Sequence, residues 1–210
     1  MGTNKNLIMF VFLATAGIAG YMTSKAFYQK ESQSFDFQSL LLYPEQKTFS
    51  GFTLIDKNKQ KITSESFKEG WTLLFFGYTH CPDVCPTTLS ELQKTFKILN
   101  KNNLKSMPKV LFVSVDSQRD TPDLLREYIH FFNKDFNAAT ADKGNILSIA
   151  SQIGVAYHIG DHKEGDLNYD VDHTAAVFLV NPEAKLYGIF RSPHEADKIA
   201  LDLTSLIGTK

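Results

Sequence analysis

Two cysteines, Cys81 and Cys85, are the only thiols in 210 residues, and they stand four apart in Gly77-Tyr-Thr-His-Cys81-Pro-Asp-Val-Cys85-Pro86. Two thiols in one short turn can exchange electrons through a disulfide or converge on a soft metal ion. Both chemistries need a thiolate. Cys85 stands just ahead of a helix expected to begin at Pro86, where unpaired N–H groups and the positive end of the helix dipole favour the ionised sulfur. Pro82 and Pro86 stiffen the turn. Three residues separate the thiols, against two in the usual thioredoxin-type reductants; the wider loop permits a disulfide and also lets both sulfurs reach one ion. Thiolates select Cu(I) among the common biological ions, and two sulfurs with one imidazole satisfy a low-coordinate Cu(I) site. Closed structural zinc sites want four ligands, and there is no third cysteine. A purely structural disulfide is a poor reading, because so small a loop constrains the unfolded chain little.

The elements that must position this turn follow from pattern. Trp71–Tyr78 (WTLLFFGY) is an apolar run expected as a strand buried on both faces. Pro86 suits the first turn of a helix running to about Asn100, with Leu89, Leu92, Phe96 and Leu99 on one side. Lys109–Val115 predicts a second buried strand, and Thr121-Pro122 opens another helix. A hairpin is expected around Asp56-Lys-Asn58, a helix over Asn145–Ile153, strands over Ala175–Val180 and Leu186–Arg191, and a last helix over Ala196–Leu206. The order is α/β, and a strand leading through a cysteine pair into a helix is the thioredoxin-like arrangement, here with a central mixed sheet and an N-terminal hairpin.

Composition bounds the partners. With 22 basic and 23 acidic residues and a net charge of −1, nothing resembles a nucleic-acid surface. Hydrophobic residues make up 43% of the chain, enough for one well-filled core. Leu7–Met22 carries no charge and lies between Lys5 and Lys25. As a helix it would span about 24 Å, slightly short of a hydrocarbon core of about 30 Å, and flanking residues close the gap. The competing reading is a cleaved signal peptide with Ala14-Thr-Ala16 as the small-residue site. The expected organisation is therefore an anchor or signal over residues 1–25, a tether over 26–47 and a domain over 48–210. The expected location is a bacterial inner membrane, single-pass, with the domain in the oxidising periplasm.

The cysteine turn together with Val171-Asp-His173-Thr-Ala-Ala-Val-Phe-Leu-Val180 resembles the Sco/SenC family of membrane-tethered, thioredoxin-like copper proteins that assist assembly of cytochrome c oxidase. Similarity extends over about residues 45–207 and includes Ser114-Val-Asp116 and Arg119-Asp-Thr-Pro122. Ser117-Gln118 and Thr174 depart from the family's frequent residues without touching a ligand. The resemblance implies that Cys81, Cys85 and His173 hold one copper ion. It also implies a copper-accepting oxidase subunit as partner, with other copper chaperones or thiol reductants. One detail of the residues agrees: thioredoxin-type oxidoreductases place a cis proline before the strand facing their cysteines, whereas here Asp172-His173-Thr174 offers an imidazole.

The other candidates have plainer readings. His80 adjoins Cys81, but neighbouring side chains at a strand end point to opposite faces, which leaves it a supporting or entry role. His158 and His162 are expected in a solvated loop, where they could assist transfer, and His130 and His194 are ordinary helix and loop residues. Asp83 could lend the site negative charge. Asp172 could orient His173 through the ring's other nitrogen. Asp116 and Asp120 are expected to tie the loop after the second buried strand and cap its helix, and Tyr169–Asp172 to form a flap. The function expected first is copper delivery by thiolate and imidazole exchange. The alternative is a thiol–disulfide oxidoreductase that uses Cys81 and Cys85 as a redox pair on the acceptor. A peroxidase lacks its Pro-x-x-x-Thr-x-x-Cys arrangement.

Overall fold

The computed structural model describes residue 21 and residues 36–68, 70–163 and 165–208. The chain divides into Met1–Asp36 and Phe37–Lys210, and the cysteines lie in the second unit. Among the described residues no helix is long and apolar enough to cross a membrane; the expected anchor falls outside them, Tyr21 excepted.

The strands are β1 (Leu40–Thr48), β2 (Leu54–Asp56), β3 (Lys61–Ile62), β4 (Thr72–Gly77), β5 (Lys109–Ser114), β6 (Asn137–Thr140), β7 (Tyr157–Ile159), β8 (Val171–His173), β9 (Ala176–Val180) and β10 (Lys185–Arg191). The helices are α1 (Val84–Lys101), α2 (Pro122–Phe132), α3 (Lys143–Ile153) and α4 (Ala196–Ile207). A 3-10 turn covers Ser64–Phe67.

Every residue of β4 is buried, and all but the first of β5. Both faces of these strands are therefore apolar, which suits the middle of a sheet covered on two sides. Alternation sorts their side chains: Leu73, Phe75, Val110, Phe112, Val177 and Leu179 pack with α1, α2 and α4, while Leu74, Phe76, Leu111, Val113 and Phe178 pack with α3 on the other face. The eight-stranded sheet runs β1-β10-β9-β4-β5-β6-β2-β3. β4, β5 and β6 are parallel and the remaining pairs antiparallel. The α/β class, the central mixed sheet and the β2–β3 hairpin agree with expectation.

Three parts differ from it, the first being the unexpected short strand β6. Leu40–Thr48, expected as tether, is an edge strand on β10, so the sheet begins before residue 48. Its mostly exposed pattern and a register shift between Leu42 and Lys47 hide the period-2 signal. Its entry is held by Asp202 of α4, a buried carboxylate accepting the N–H groups of Gln38, Ser39 and Leu40 and the Ser39 hydroxyl. His158, expected in a loop, and Val171 and Asp172, expected in a flap, lie instead in a two-stranded sheet, β7–β8, that among the described residues shares no ladder with the main one.

Candidate metal centre

β4 ends in Gly77 and the chain turns through Tyr78–Pro82 into α1, whose first turn holds Val84 and Cys85. The helix thus begins two residues before Pro86, and Cys85 lies inside it. Its side chain is fully buried and sits over Gly77: a Cβ there would lie 2.5 Å from Cys85 Sγ and 2.8 Å from Phe112 Cε2. Only glycine lets the sulfur approach the strand end so closely. Cys81, in the turn, is half-buried and touches the apolar clusters on both sheet faces.

His173 arrives from β8. Its Nε2 lies 3.3 Å from Cys85 Sγ, and its ring packs edge-on against Phe75 and Tyr78. Nδ1 is 3.2 Å from the Thr174 carbonyl oxygen. A carbonyl can only accept, so Nδ1 carries the proton and Nε2 turns its lone pair toward the sulfurs. Asp172, expected to orient the ring, is exposed; the Thr174 backbone takes that role, because adjacent side chains on a strand diverge.

One donor atom each from Cys81, Cys85 and His173 lies within 4.8 Å of the other two, the one such metal-capable group among the described residues. Donors sharing one ion at bonds of about 2.0–2.3 Å sit roughly 3.5–4 Å apart, so little contraction closes the site. Two sulfurs and a neutral imidazole are soft to borderline donors, and the trio could hold a copper ion.

The two thiols are not equivalent. Cys81 is pulled down to about 3, chiefly by hydrogen bonding from the Cys85 thiol, against the opposing effect of burial; the Cys85 and Asp83 amides add to the lowering. The Cys85 N–H lies 3.4 Å from Cys81 Sγ. Cys85 is pushed strongly up, first by its bond to Cys81 and then by desolvation. The sequence-based assignment of the favoured thiolate to Cys85 is thus corrected. The free amides of the first helical turn do favour an ionised sulfur, but the one they point at is Cys81, while Cys85 is shut away from water.

The remaining histidines stay outside the trio. His80 is exposed, its Nδ1 against Thr79 Oγ1 and 3.9 Å from Asp120. His158 is exposed on β7. His162 stacks on Tyr169 at 3.8 Å and reaches Gln118 Oε1. His130 meets Lys57 Nζ, and His194 meets Thr88 and the Phe190 carbonyl. Asp83 is the N-cap residue of α1 and accepts from Thr87 Oγ1. Asp116 and Asp120 do tie the loop after β5, but neither caps α2; Thr121 does, as its place before Pro122 leads one to expect, accepting from the Leu124 N–H. Asp120 instead reaches back to Thr79 beside the cysteine turn. Asp116 bonds Arg119 and Tyr169. No spacing rule connects these positions, and only the described fold brings them together.

The SCO1/SenC family model matches residues 43–208. The SCO2-like protein of Rickettsia felis is 34% identical over 134 residues, which cover 64% of each chain. Copper-bound ScoI of Bradyrhizobium japonicum aligns at 32% identity with a TM-score of 0.66, over 75% of this chain and 99% of that one. Copper-bound ScoI of Arabidopsis thaliana aligns at 29% identity with a TM-score of 0.68, over 75% and 97%. The thioredoxin-type fold is common to them.

Proposed function

This chain belongs to the SCO1/SenC family, and from that premise we propose that it is a copper metallochaperone. It holds one copper ion on Cys81, Cys85 and His173 and passes it to the copper-accepting subunit of cytochrome c oxidase during assembly. The observation that carries this reading is the meeting of two sulfurs and an imidazole lone pair within 4.8 Å at the end of β4. The copper-bound relatives support it. The apolar run Leu7–Met22 supports a single membrane anchor, with the domain on the periplasmic face of a bacterial inner membrane. Other copper chaperones and thiol reductants would meet it there.

Graded exposure supplies a path for exchange. Cys85 is wholly buried, whereas Cys81 and His173 are half-buried. An acceptor thiolate therefore reaches the ion from the Cys81 side. A first acceptor thiolate would form a copper–sulfur bond as the bond to Cys81 opens, further acceptor donors would replace His173 and then Cys85, and a proton given up by an acceptor thiol as it binds would pass to Cys85. Cys81 leaves as a thiolate, held so by its hydrogen bonds, and Cys85 regains its proton. Neither the copper nor any sulfur changes oxidation state.

The half-exposed thiolate of Cys81 with Cys85 in reach favours one second reading, a thiol–disulfide oxidoreductase. Cys81 would attack an acceptor disulfide and Cys85 would resolve the mixed disulfide. The acceptor would leave as a dithiol, and this chain would be left oxidised by two electrons. Mixing the reduced, Cu(I)-loaded full chain with a soluble oxidase copper domain separates the two. Copper delivery reads as movement of the ion to the acceptor with thiol counts unchanged. Reduction of the acceptor's disulfide by metal-free protein, at a rate His173→Ala leaves unchanged, with no copper transferred, would replace it with the second reading.

A further inference from the structure

The two halves of the donor set come from different parts of the fold, and one short segment touches both. Asp120 is fully buried, and its carboxylate accepts from the Thr79 N–H at 2.9 Å, the Thr79 hydroxyl at 2.5 Å and the Ser114 hydroxyl at 2.6 Å. Thr79 stands two residues before Cys81. Next to Asp120, the buried Arg119 has its guanidinium 5.5 Å from the centre of the Tyr78 ring and reaches the segment before His173. Its Nη1 donates to the carbonyls of Leu167 and Tyr169 at 3.1 and 2.9 Å, and its guanidinium lies 3.7 Å from the centre of the Tyr169 ring. Tyr169 in turn donates its hydroxyl to Asp116 Oδ1 at 2.6 Å, and the Arg119 Nε–H donates to the other oxygen of the same carboxylate. Tyr169 stands four residues before His173. Among the described residues, the side-chain ties of 160–170 to the rest of the domain fall on Asp116, Gln118 and Arg119.

Resting on the copper reading above, we propose that Asp116, Arg119 and Asp120 are positioning residues. They form a bracket that sets the distance between the dithiol turn, held through Thr79, and His173, held through Tyr169. The physical need is plain. Among the described residues β7–β8 has no ladder with the main sheet, so its backbone is tied only through the run into β9 and the Thr174–Ala156 bond, and the side-chain ties set the rest of the imidazole's place. A buried ion pair in which the guanidinium also satisfies two carbonyls gives a segment one geometry. Removing one partner of such a pair leaves a charge stranded, so the informative variants are mild ones.

Tyr169→Phe removes the hydroxyl's bond to Asp116 and keeps the ring under Arg119. Thr79→Val removes one donor to Asp120 and keeps the shape. Each is made in the full chain and again with His173→Ala, and Cu(I) affinity is read by competition with a chelator under anaerobic conditions. The bracket predicts a loss of about tenfold for Tyr169→Phe when His173 is present. It predicts almost none in the His173→Ala background, since there is no imidazole left to misplace. Equal losses in both backgrounds, or none in either, would overturn it. A second readout needs no metal: contacts between the His173 and Tyr78 rings, seen by NMR in the reduced apo protein, weaken in Tyr169→Phe while far-UV circular dichroism is unchanged. Intact ring contacts in that variant would also overturn the bracket. Weak copper binding by the unsubstituted chain alongside lost ring contacts in the variant would fault the copper reading and leave the bracket standing.

Discussion

The dithiol turn and the hairpin carrying His173 meet at one point but are built by different means. The turn grows from β4, which is hydrogen-bonded on one side to β5 and on the other to β9 and is buried along its whole length. Among the described residues the hairpin's three-residue strands pair only with each other, and His158 and Asp172 are exposed on them. One part of the donor set is thus fixed by a wholly buried central ladder, the other by a few side-chain bonds and the packing of Tyr169 and Val171. On the copper reading proposed above, a site that takes up and releases an ion benefits from this division. The buried thiol defines the place, and the donor on the lightly held element can come and go.

The contrast can be broken most visibly by amide hydrogen exchange on the apo protein. Amides of β7 and β8 are expected to exchange about a hundredfold or more ahead of those of β4 and β5. Equal protection would mean the hairpin is as firmly held as the sheet.

Next in size is the asymmetry within the turn. An ordinary thiol, ionising near 8.5, loses about 150-fold in alkylation rate between pH 8.5 and pH 6. Cys81, held down to about 3, stays ionised across that range. Its carboxymethylation should therefore change less than about threefold, followed by peptide mapping, while Cys85 stays unmodified. A fall along the ordinary curve would place a proton on Cys81 and remove the asymmetry.

Smaller, but sharper in what it compares, is a pair of substitutions. Gly77→Ala drives a methyl group into Cys85 Sγ and Phe112 and is expected to cost about 1–3 kcal/mol in urea denaturation. Asp172→Asn, on the exposed face of the hairpin beside His173, is expected to stay within about 0.5 kcal/mol. Similar costs would contradict the assignment of structural tightness to the turn.

What sequence alone could tell divides along the same line. The buried strands β4 and β5, the helix after the cysteines and the thiol pair itself were legible, because each is written in neighbouring residues. His173 was reached through the resemblance of its flanking residues, not through any spacing to Cys81. The strand at Leu40–Thr48 was read as tether because an edge strand with a bulge and few buried side chains carries no alternation. β6, Asn137–Thr140, is too short for periodicity to mark. The role of Gly77 and the links from Asp120 to Thr79 and from Arg119 to residues 167–169 join positions about 40–50 apart in the chain, save at Gly77, where the clash arises only once α1 folds back. Placing the low pKa on Cys85 failed for a related reason. Helix position is local information, whereas burial under the strand end depends on the whole fold.

The central claim, that Cys81, Cys85 and His173 form one copper site, is met most directly by an anaerobic Cu(I) titration of the reduced full chain against a competing chelator, beside the His173→Ala variant. The account predicts one equivalent bound tightly by the unsubstituted chain and an affinity at least tenfold weaker in the variant. An affinity unchanged by His173→Ala, or uptake with no fixed stoichiometry, would contradict it.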